Sequence, residues 1–334
     1  MPDRILVTGG AGFIGSELVS QLVNLGHTVD VVDNLANGKR ANLAGIDPAR
    51  ARLHVASILD RDAMAALMRE ASVVYHLACL GVRHSLHDPA HNHEVNASGT
   101  LGLLQLARAA GVSRFVYVSS SEVYGTARWA PMTEEHPTFP MTVYGGGKLA
   151  GECYARAFHE SYGFPTVMVR PFNSFGPRSH HEGDSGEVIP KFMLRAMAGR
   201  PMIIFGDGTQ TRDFTYVSDT ARGILMAGFC DEAIGQTLNL GQGHETTINH
   251  LAGRIAHVVG RGEALIEHDD PRPGDVLRLF ADSSKARDLL GYEPRVSLGD
   301  GLRQLHLWYA HCGASADELL TQERVHNWKE KQLA

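Results

Sequence analysis

Short β-branched and aliphatic runs alternate with stretches of helical spacing through the first half of the chain. "RILVTGG", from residue 4, reads as a strand, "FIGSELVSQLVNLG" as a helix ending near Gly26, and "TVDVVDN" as a second strand. "ARLHVAS" reads as a third strand, "RDAMAALMRE" as a helix and "SVVYHLA" as a fourth strand. "ASGTLGLLQLARAAG" is a helix that stops at Gly111, and "RFVYVSS" is the next strand. A further helix runs from about Gly147 to Tyr162, and "TVMVRP" is another strand. Strands alternating with helices mean βαβ units and a parallel sheet. The strands are near-continuous apolar runs, as expected of strands covered on both faces.

The alternation loosens after Pro177. "RSHHEGDSG" is a polar loop, "VIPKFMLRAMAG" is helical, and "FTYVSDTARGILMAGF" is a helix that returns to the first domain. "TLNLGQG" is one more strand, and "ADELLTQERVHNWKEKQL" an exposed helix. The expected division is 1–176, with 215–243 returning to it, against a smaller interleaved unit of 177–214 and 244–334.

The first turn carries chemistry. Gly9, Gly12 and Gly15 sit in "TGGAGFIG", directly after a strand and at the start of a helix. A tight turn needs a residue without Cβ, and a pyrophosphate approaching the backbone needs another. The helix start then offers free N–H groups to the anion. The spacing is G-x-x-G-x-x-G, so the usual dinucleotide fingerprint is matched imperfectly. Asp33 closes the second strand, where a carboxylate accepts from ribose hydroxyls and repels a 2′-phosphate. NAD is favoured over NADP, although Lys39 and Arg40 follow closely. These features give an α/β fold with a Rossmann-type doubly wound parallel sheet.

Composition narrows the class. The 334 residues are 43% hydrophobic and 20% charged, ordinary for a chain with a sizeable core. A net charge of −6 suggests no nucleic-acid surface. Cys79, Cys153, Cys230 and Cys312 are far apart, which argues against a zinc site or a disulfide framework and fits a reducing compartment. No apolar leader or membrane-length run is visible, so a cytoplasmic protein with no membrane partner is expected.

Tyr144 and Lys148 occur as "YGGGK". At i and i+4 they share a helix face, where an ammonium lowers a phenol's pKa toward that of a usable base. With this pair in view, the chain resembles the extended short-chain dehydrogenase/reductase family, among its nucleotide-sugar epimerases and dehydratases. The matching segments are "TGGAGFIGS", "DNLANGKR", "HLA" (76–78), "VNASGT" (95–100), "SSSEVYG" (119–125), "YGGGK", "RPFNSFGPR" (170–178), "FGDGTQTRDFTYVSD" (205–219) and "PRPGDV" (271–276).

The resemblance implies bound NAD, held by Gly9, Gly12, Phe13, Ile14, Gly15, Asp33, Asn34, Asn37, Gly38, Ser57, Ile58, Leu77, Ala78, Asn96, Ser119 and Pro171, with Tyr144 and Lys148. Ser120 and Tyr144 would hold the sugar's 4-hydroxyl, and Lys148 the nicotinamide ribose. It further implies a nucleotide-sugar site of Arg83, Ser85, Ser120, Ser121, Glu122, Asn173, Val188, Lys191, Phe205, Arg212, Arg272 and Asp275. Arginines suit phosphate oxygens through their planar fork. Where many relatives carry an acid after the third strand, this chain has Ser57-Ile58, which weakens one cofactor contact.

Glu122 separates the family's reactions. If "FVYVSSSEVY" is extended, Ser120 and Glu122 face one side and Ser121 the other. After oxidation at C4, a carboxylate serves a 4,6-dehydratase as base for the C5 proton. A 4-epimerase has no such need, and a UDP-glucuronate decarboxylase resembles "S-S-E" too. Dehydration is favoured, with epimerisation and then decarboxylation as alternatives, and a salt-bridged strand-end residue as the bland reading. A sensor that binds NAD without chemistry would not need Ser120, Tyr144 and Lys148 together.

The histidines at 84, 87, 91 and 93, and "SHHEGD" (179–184), lack a metal-site partner pattern, so no metal is expected. "SHHEGDSG" suits a mobile loop over the sugar. Apolar residues on the 97–110 and 147–162 helices suggest a homodimer.

Overall fold

The computed structural model describes residues 3–271 and 276–328. The strands β1 (Arg4–Thr8), β2 (Thr28–Asp33), β3 (Ala51–Val55), β4 (Val73–His76), β5 (Arg114–Val118), β6 (Thr166–Pro171) and β11 (Thr237–Leu240) form one sheet. Its order is β11-β6-β5-β4-β1-β2-β3, and every pairing is parallel.

Side-chain alternation in the strands sorts the core into two faces. Ile5, Val7, Val116, Val118, Val167 and Val169 point into one cluster, under α1 (Phe13–Asn24), α8 (Val217–Phe229) and α10 (Ser284–Leu290). Leu6, Phe115, Tyr117 and Met168 point into the other. That face is covered by α2 (Arg61–Met68), α5 (Thr100–Ala109) and α6 (Val143–Tyr162), with the short α3 (Val82–His87) and α4 (Pro89–His93) leading into α5 through a π-helical turn, 94–99.

A second core gathers α7 (Val188–Met197), α9 (Ile248–Val258), α11 (Leu298–Ala310) and α12 (Ala316–Leu320). Short strand pairs knit it together: β7 (Asn173–Phe175) with β10 (Phe214–Tyr216), β8 (Met202–Phe205) with β13 (Ile266–Asp269), and β9 (Thr211–Arg212) with β12 (Thr246–Thr247). No helix among the described residues is long and apolar enough to cross a membrane.

Three sequence expectations change. The Tyr–Lys helix starts at Val143 rather than near Gly147, because Thr142 caps it: its hydroxyl accepts from Gly145 N at 3.0 Å. The glycines are not equivalent. A Cβ on Gly145 would lie 2.8 Å from the Glu122 carbonyl oxygen, whereas one on Gly146 would meet nothing. Gly146→Ala is therefore expected to stabilise by about 0.5–1 kcal/mol, and Gly145→Ala to destabilise, both read from urea midpoints.

Residues 121–123 are not extended. β5 ends at Val118, and Ser121–Val123 form a 3₁₀ turn capped by Ser120, whose Oγ accepts from Glu122 N at 3.2 Å. Self-capping by serine outweighs strand continuation here, so Ser120 and Glu122 are adjacent in a turn rather than two steps along a strand. The tail, finally, is helical only over Ala316–Leu320 within the described residues, and 321–328 packs against α7 and the 183–187 turn.

Candidate active site

The strand order changes direction between β1 and β4, and a crevice opens beyond the carboxyl ends there, where doubly wound folds bind ligands. The cavity is about 1440 Å³. Its lining includes Gly9, Gly12, Phe13, Ile14, Gly15, Asp33, Asn34, Asn37, Gly38, Ser57, Ile58, Leu77, Ala78, Ser119 and Pro171. Ser120, Ser121, Glu122, Tyr144, Lys148, Arg83, Asn173, Val188, Lys191, Phe205 and Arg212 line it as well.

Two expected residues do not. Asn96 is 1% exposed, and its amide is spent on the turn behind the cavity: Oδ1 accepts from Leu80 N at 2.9 Å and Nδ2 donates to Leu80 O at 2.9 Å. Ser85 is buried with its hydroxyl on Val82 O at 2.7 Å, closing a turn of α3. Both shape the wall from behind. Arg272 and Asp275 lie outside the described residues.

The glycine turn is built for close approach. Gly9 has φ +71°, and a Cβ on Gly15 would fall 2.1 Å from Gly9 O. Asp33 is 7% exposed; Oδ2 accepts from Ala11 N at 3.0 Å and Oδ1 from Leu35 N at 2.8 Å. A carboxylate has about four acceptor sites, so ribose hydroxyls can still be taken up. Lys39, whose charge would favour a 2′-phosphate, is instead paired with Glu182 at 2.6 Å. Ser119 Oγ and Asn173 Oδ1 are buried without a partner in the lining, as polar atoms kept for a ligand would be. These residues fit a dinucleotide with an unmodified ribose.

His76 holds the neighbouring turn. Burial keeps its ring neutral, with a pKa lowered to about 3. It bridges Thr8 Oγ1 at 2.7 Å and Thr100 Oγ1 at 2.9 Å, while Thr8 Oγ1 also accepts from Ala78 N at 3.3 Å. A neutral imidazole does this by donating from one nitrogen and accepting at the other.

At the other end of the cavity, Tyr144 lies beside Ser120, Cys79 and Glu122 in the lining. Desolvation in the cavity raises its phenol well above the usual value, the Ser120 bond opposes this, and the Glu122 charge adds to the rise. This corrects the expected drop. Lys148 is 2% exposed, and its ammonium donates to Val118 O at 2.5 Å and lies 4.8 Å from the Tyr117 ring centre. Desolvation lowers the lysine's own pKa.

Beneath this pair sits an anchor the sequence reading missed. Glu152, one turn beyond Lys148 and 0% exposed, accepts from Arg170 of β6 through both carboxylate oxygens, Nε to Oε2 at 3.0 Å. Arg170 Nη1 also donates to Tyr124 OH at 2.7 Å, which donates to Asn239 Oδ1 at 2.7 Å. The Arg in "RPFNSFG" signalled it, since a buried strand guanidinium needs a carboxylate. Also missed in the lining were Cys79, Glu187, Glu323, Val325, Asn327 and Trp328. Desolvation pushes Glu187 up to about 7, against the pull of His180 and Arg83. Among the described residues no group of three or more His, Cys, Asp or Glu is placed to hold a metal ion.

Comparison with known proteins gives the same picture. The family model for GDP-mannose 4,6 dehydratase matches residues 6–305. The UDP-glucose 4-epimerase of Mycolicibacterium smegmatis is 38% identical over 303 residues, covering 90% of this chain and 96% of that protein. The Thermotoga maritima UDP-glucose 4-epimerase, solved with UDP-glucose, superposes with a TM-score of 0.87 at 34% identity, covering 92% of this chain and 99% of that one. The Streptomyces venezuelae dTDP-glucose 4,6-dehydratase, solved with NAD, superposes at 0.86 and 34%, covering 92% and 97%. Matches of this extent and identity carry one conclusion: the chain belongs to the nucleotide-sugar epimerase/dehydratase family of extended short-chain dehydrogenases/reductases.

Proposed function

We propose that this chain is an NAD-dependent nucleotide-sugar enzyme that works through a transient 4-keto sugar and completes a 4,6-dehydration. The carrying observation is that Glu122 lines the same cavity as Tyr144, in the turn that Ser120 caps. In this reading 1–176 with 215–243 binds the cofactor, and 177–214 with 244–334 the nucleotide sugar. Bound NAD supplies the acceptor for the hydrogen leaving C4, its later return to C6, and a cationic ring whose field lowers the Tyr144 phenol.

Tyr144 takes the proton of the sugar 4-hydroxyl, with Ser120 holding the phenol in line. Lys148 adds positive charge beneath the nicotinamide ribose. The C4 ketone acidifies the C5 hydrogen; Glu122 removes it and passes that proton to the 6-hydroxyl, which departs as water, and the proton held by Tyr144 returns to C5 when C6 is reduced. Asn173 and Arg212 hold the diphosphate.

A second reading, 4-epimerisation, has its own support. Beside Glu122 the turn offers only Ser121, 4% exposed, where a second acid would serve the departing hydroxyl. Epimerases also stand among the relatives. Decarboxylation of a nucleotide-linked uronate is third.

Mass spectrometry of products from a nucleotide-sugar panel separates the three. Loss of one water supports dehydration, unchanged mass with a new retention time epimerisation, and loss of CO₂ decarboxylation. Glu122→Gln is expected to lower dehydrating turnover by about 10²–10⁴-fold, the usual weight of a general base, while C4 oxidation persists. Full turnover in that variant would remove Glu122 from the mechanism.

A further inference from the structure

The family match ends at residue 305, yet the chain continues into the cavity wall. After α12, residues 321–328 run alongside the turn that follows β7 and against the face of α7. Gly183 N donates to Gln322 O at 2.8 Å, and Gly183 and Glu323 form an isolated parallel bridge. From there to Asn327 the segment alternates, and Trp328 lines the cavity as well. Glu323, Val325 and Asn327 line the cavity, while Arg324 pairs with Asp184, and His326 with Asp269 at 2.7 Å.

The segment is tied to other residues of the cavity lining. Glu323, 8% exposed at its side chain, pairs with Arg195 at 2.8 Å. Lys191 Nζ donates to Arg324 O at 2.7 Å. Trp328 packs edge-on against Phe205, ring centres 4.5 Å apart. Asn327 is 2% exposed, and Nδ2 donates to Asp184 O at 3.2 Å and Gly186 O at 3.1 Å. Its Oδ1 accepts from Arg83 Nε at 3.4 Å. An asparagine placed with both donor and acceptor in use, in a nearly water-free position, sets orientation.

We propose that residues 321–328 are a fixed specificity wall of the substrate site, and that Asn327 is a positioning residue that aims Arg83 and holds the 183–187 turn against the sugar. The inference rests on the nucleotide-sugar reading above and adds a substrate class: a nucleotide hexose whose sugar presents a polar or anionic substituent to Arg83. It also changes the role of "SHHEGDSG". That loop is pinned by the strap rather than left as a mobile lid.

The test uses full-length protein with NAD and a panel of UDP-, dTDP-, GDP- and CDP-sugars. Calorimetry gives binding and steady-state rates give kcat and KM. Asn327→Ala is expected to raise KM for the best substrate about 10-fold, leave kcat and NAD affinity little changed, and narrow the preference among sugars. Unchanged KM and unchanged preference would overturn the proposal. So would a fall in kcat and NAD affinity alongside the rise in KM, which marks a general loss of structure. Trp328→Ala and a chain ending at Thr321 repeat the measurement. A truncated chain that keeps its CD spectrum, KM and preference also overturns it. If the wild type binds no member of the panel, the nucleotide-sugar reading fails first and takes this inference with it.

Discussion

Tyr144→Phe is expected to cut kcat by about 10²–10⁴-fold while NAD binding and thermal stability stay near wild type. The substitution removes only the hydroxyl proposed to take the sugar proton, and the ring still fills its place on α6. Because desolvation and Glu122 hold the phenol above its ordinary range, the active, deprotonated form is scarce at low pH. The wild-type rate should therefore rise with pH through the phenol's titration in the bound complex, and that limb should vanish in the variant. Stopped-flow absorbance of the reduced nicotinamide, recorded across pH with the preferred substrate, checks both points. Wild-type turnover by Tyr144→Phe would mean that another group is the base.

Glu152→Ala should be the most damaging substitution for stability. It strands the Arg170 guanidinium, 3% exposed at its side chain, without its carboxylate. Breaking a buried pair from one side typically costs about 3–5 kcal/mol. Tyr124 and the Glu134 carbonyl still accept from Arg170 Nη1 and soften the loss. Replacing both partners together, Glu152→Met with Arg170→Met, should be far milder because no charge remains buried. Urea denaturation with an unchanged slope and a lower midpoint is the expected record. If the single variant unfolds at the wild-type midpoint, the pair does not anchor α6. Its effect on catalysis follows from position: Tyr144 and Lys148 ride on the helix that Glu152 fastens to β6.

Much of this molecule was legible in one dimension because the relevant signals are local. Apolar runs of strand length, the glycines before α1 and the acid at the end of β2 are each set by neighbours a few residues away. They placed the parallel sheet and the dinucleotide crevice. The Gly-rich turn and Asp33 lie where their spacing predicted, since the backbone there tolerates no Cβ. Capping was harder to read. Thr142 moved the start of α6 past three glycines, and Ser120 turned a strand end into a 3₁₀ turn. Both are competitions between local hydrogen bonds of similar strength, settled by what packs above them: only a glycine fits at 145, because the Glu122 carbonyl sits against it.

Long-range pairing was not legible at all. Nothing near Asn96 shows that Leu80 will consume its amide, and nothing near Ser85 shows that Val82 will take its hydroxyl. The strap of 321–328 looked like an exposed polar helix because its partners, Arg83, the 183–187 turn and Lys191, are about a hundred or more residues distant. The sequence by itself determined the fold class and the cofactor crevice, because local periodicity and backbone sterics dictate them, whereas the Ser–Tyr–Lys set came from the resemblance to the family. Only the tertiary structure decided which polar side chains reach the cavity, how the Tyr144 phenol is shifted and what walls the cavity, because those depend on groups that folding alone brings together.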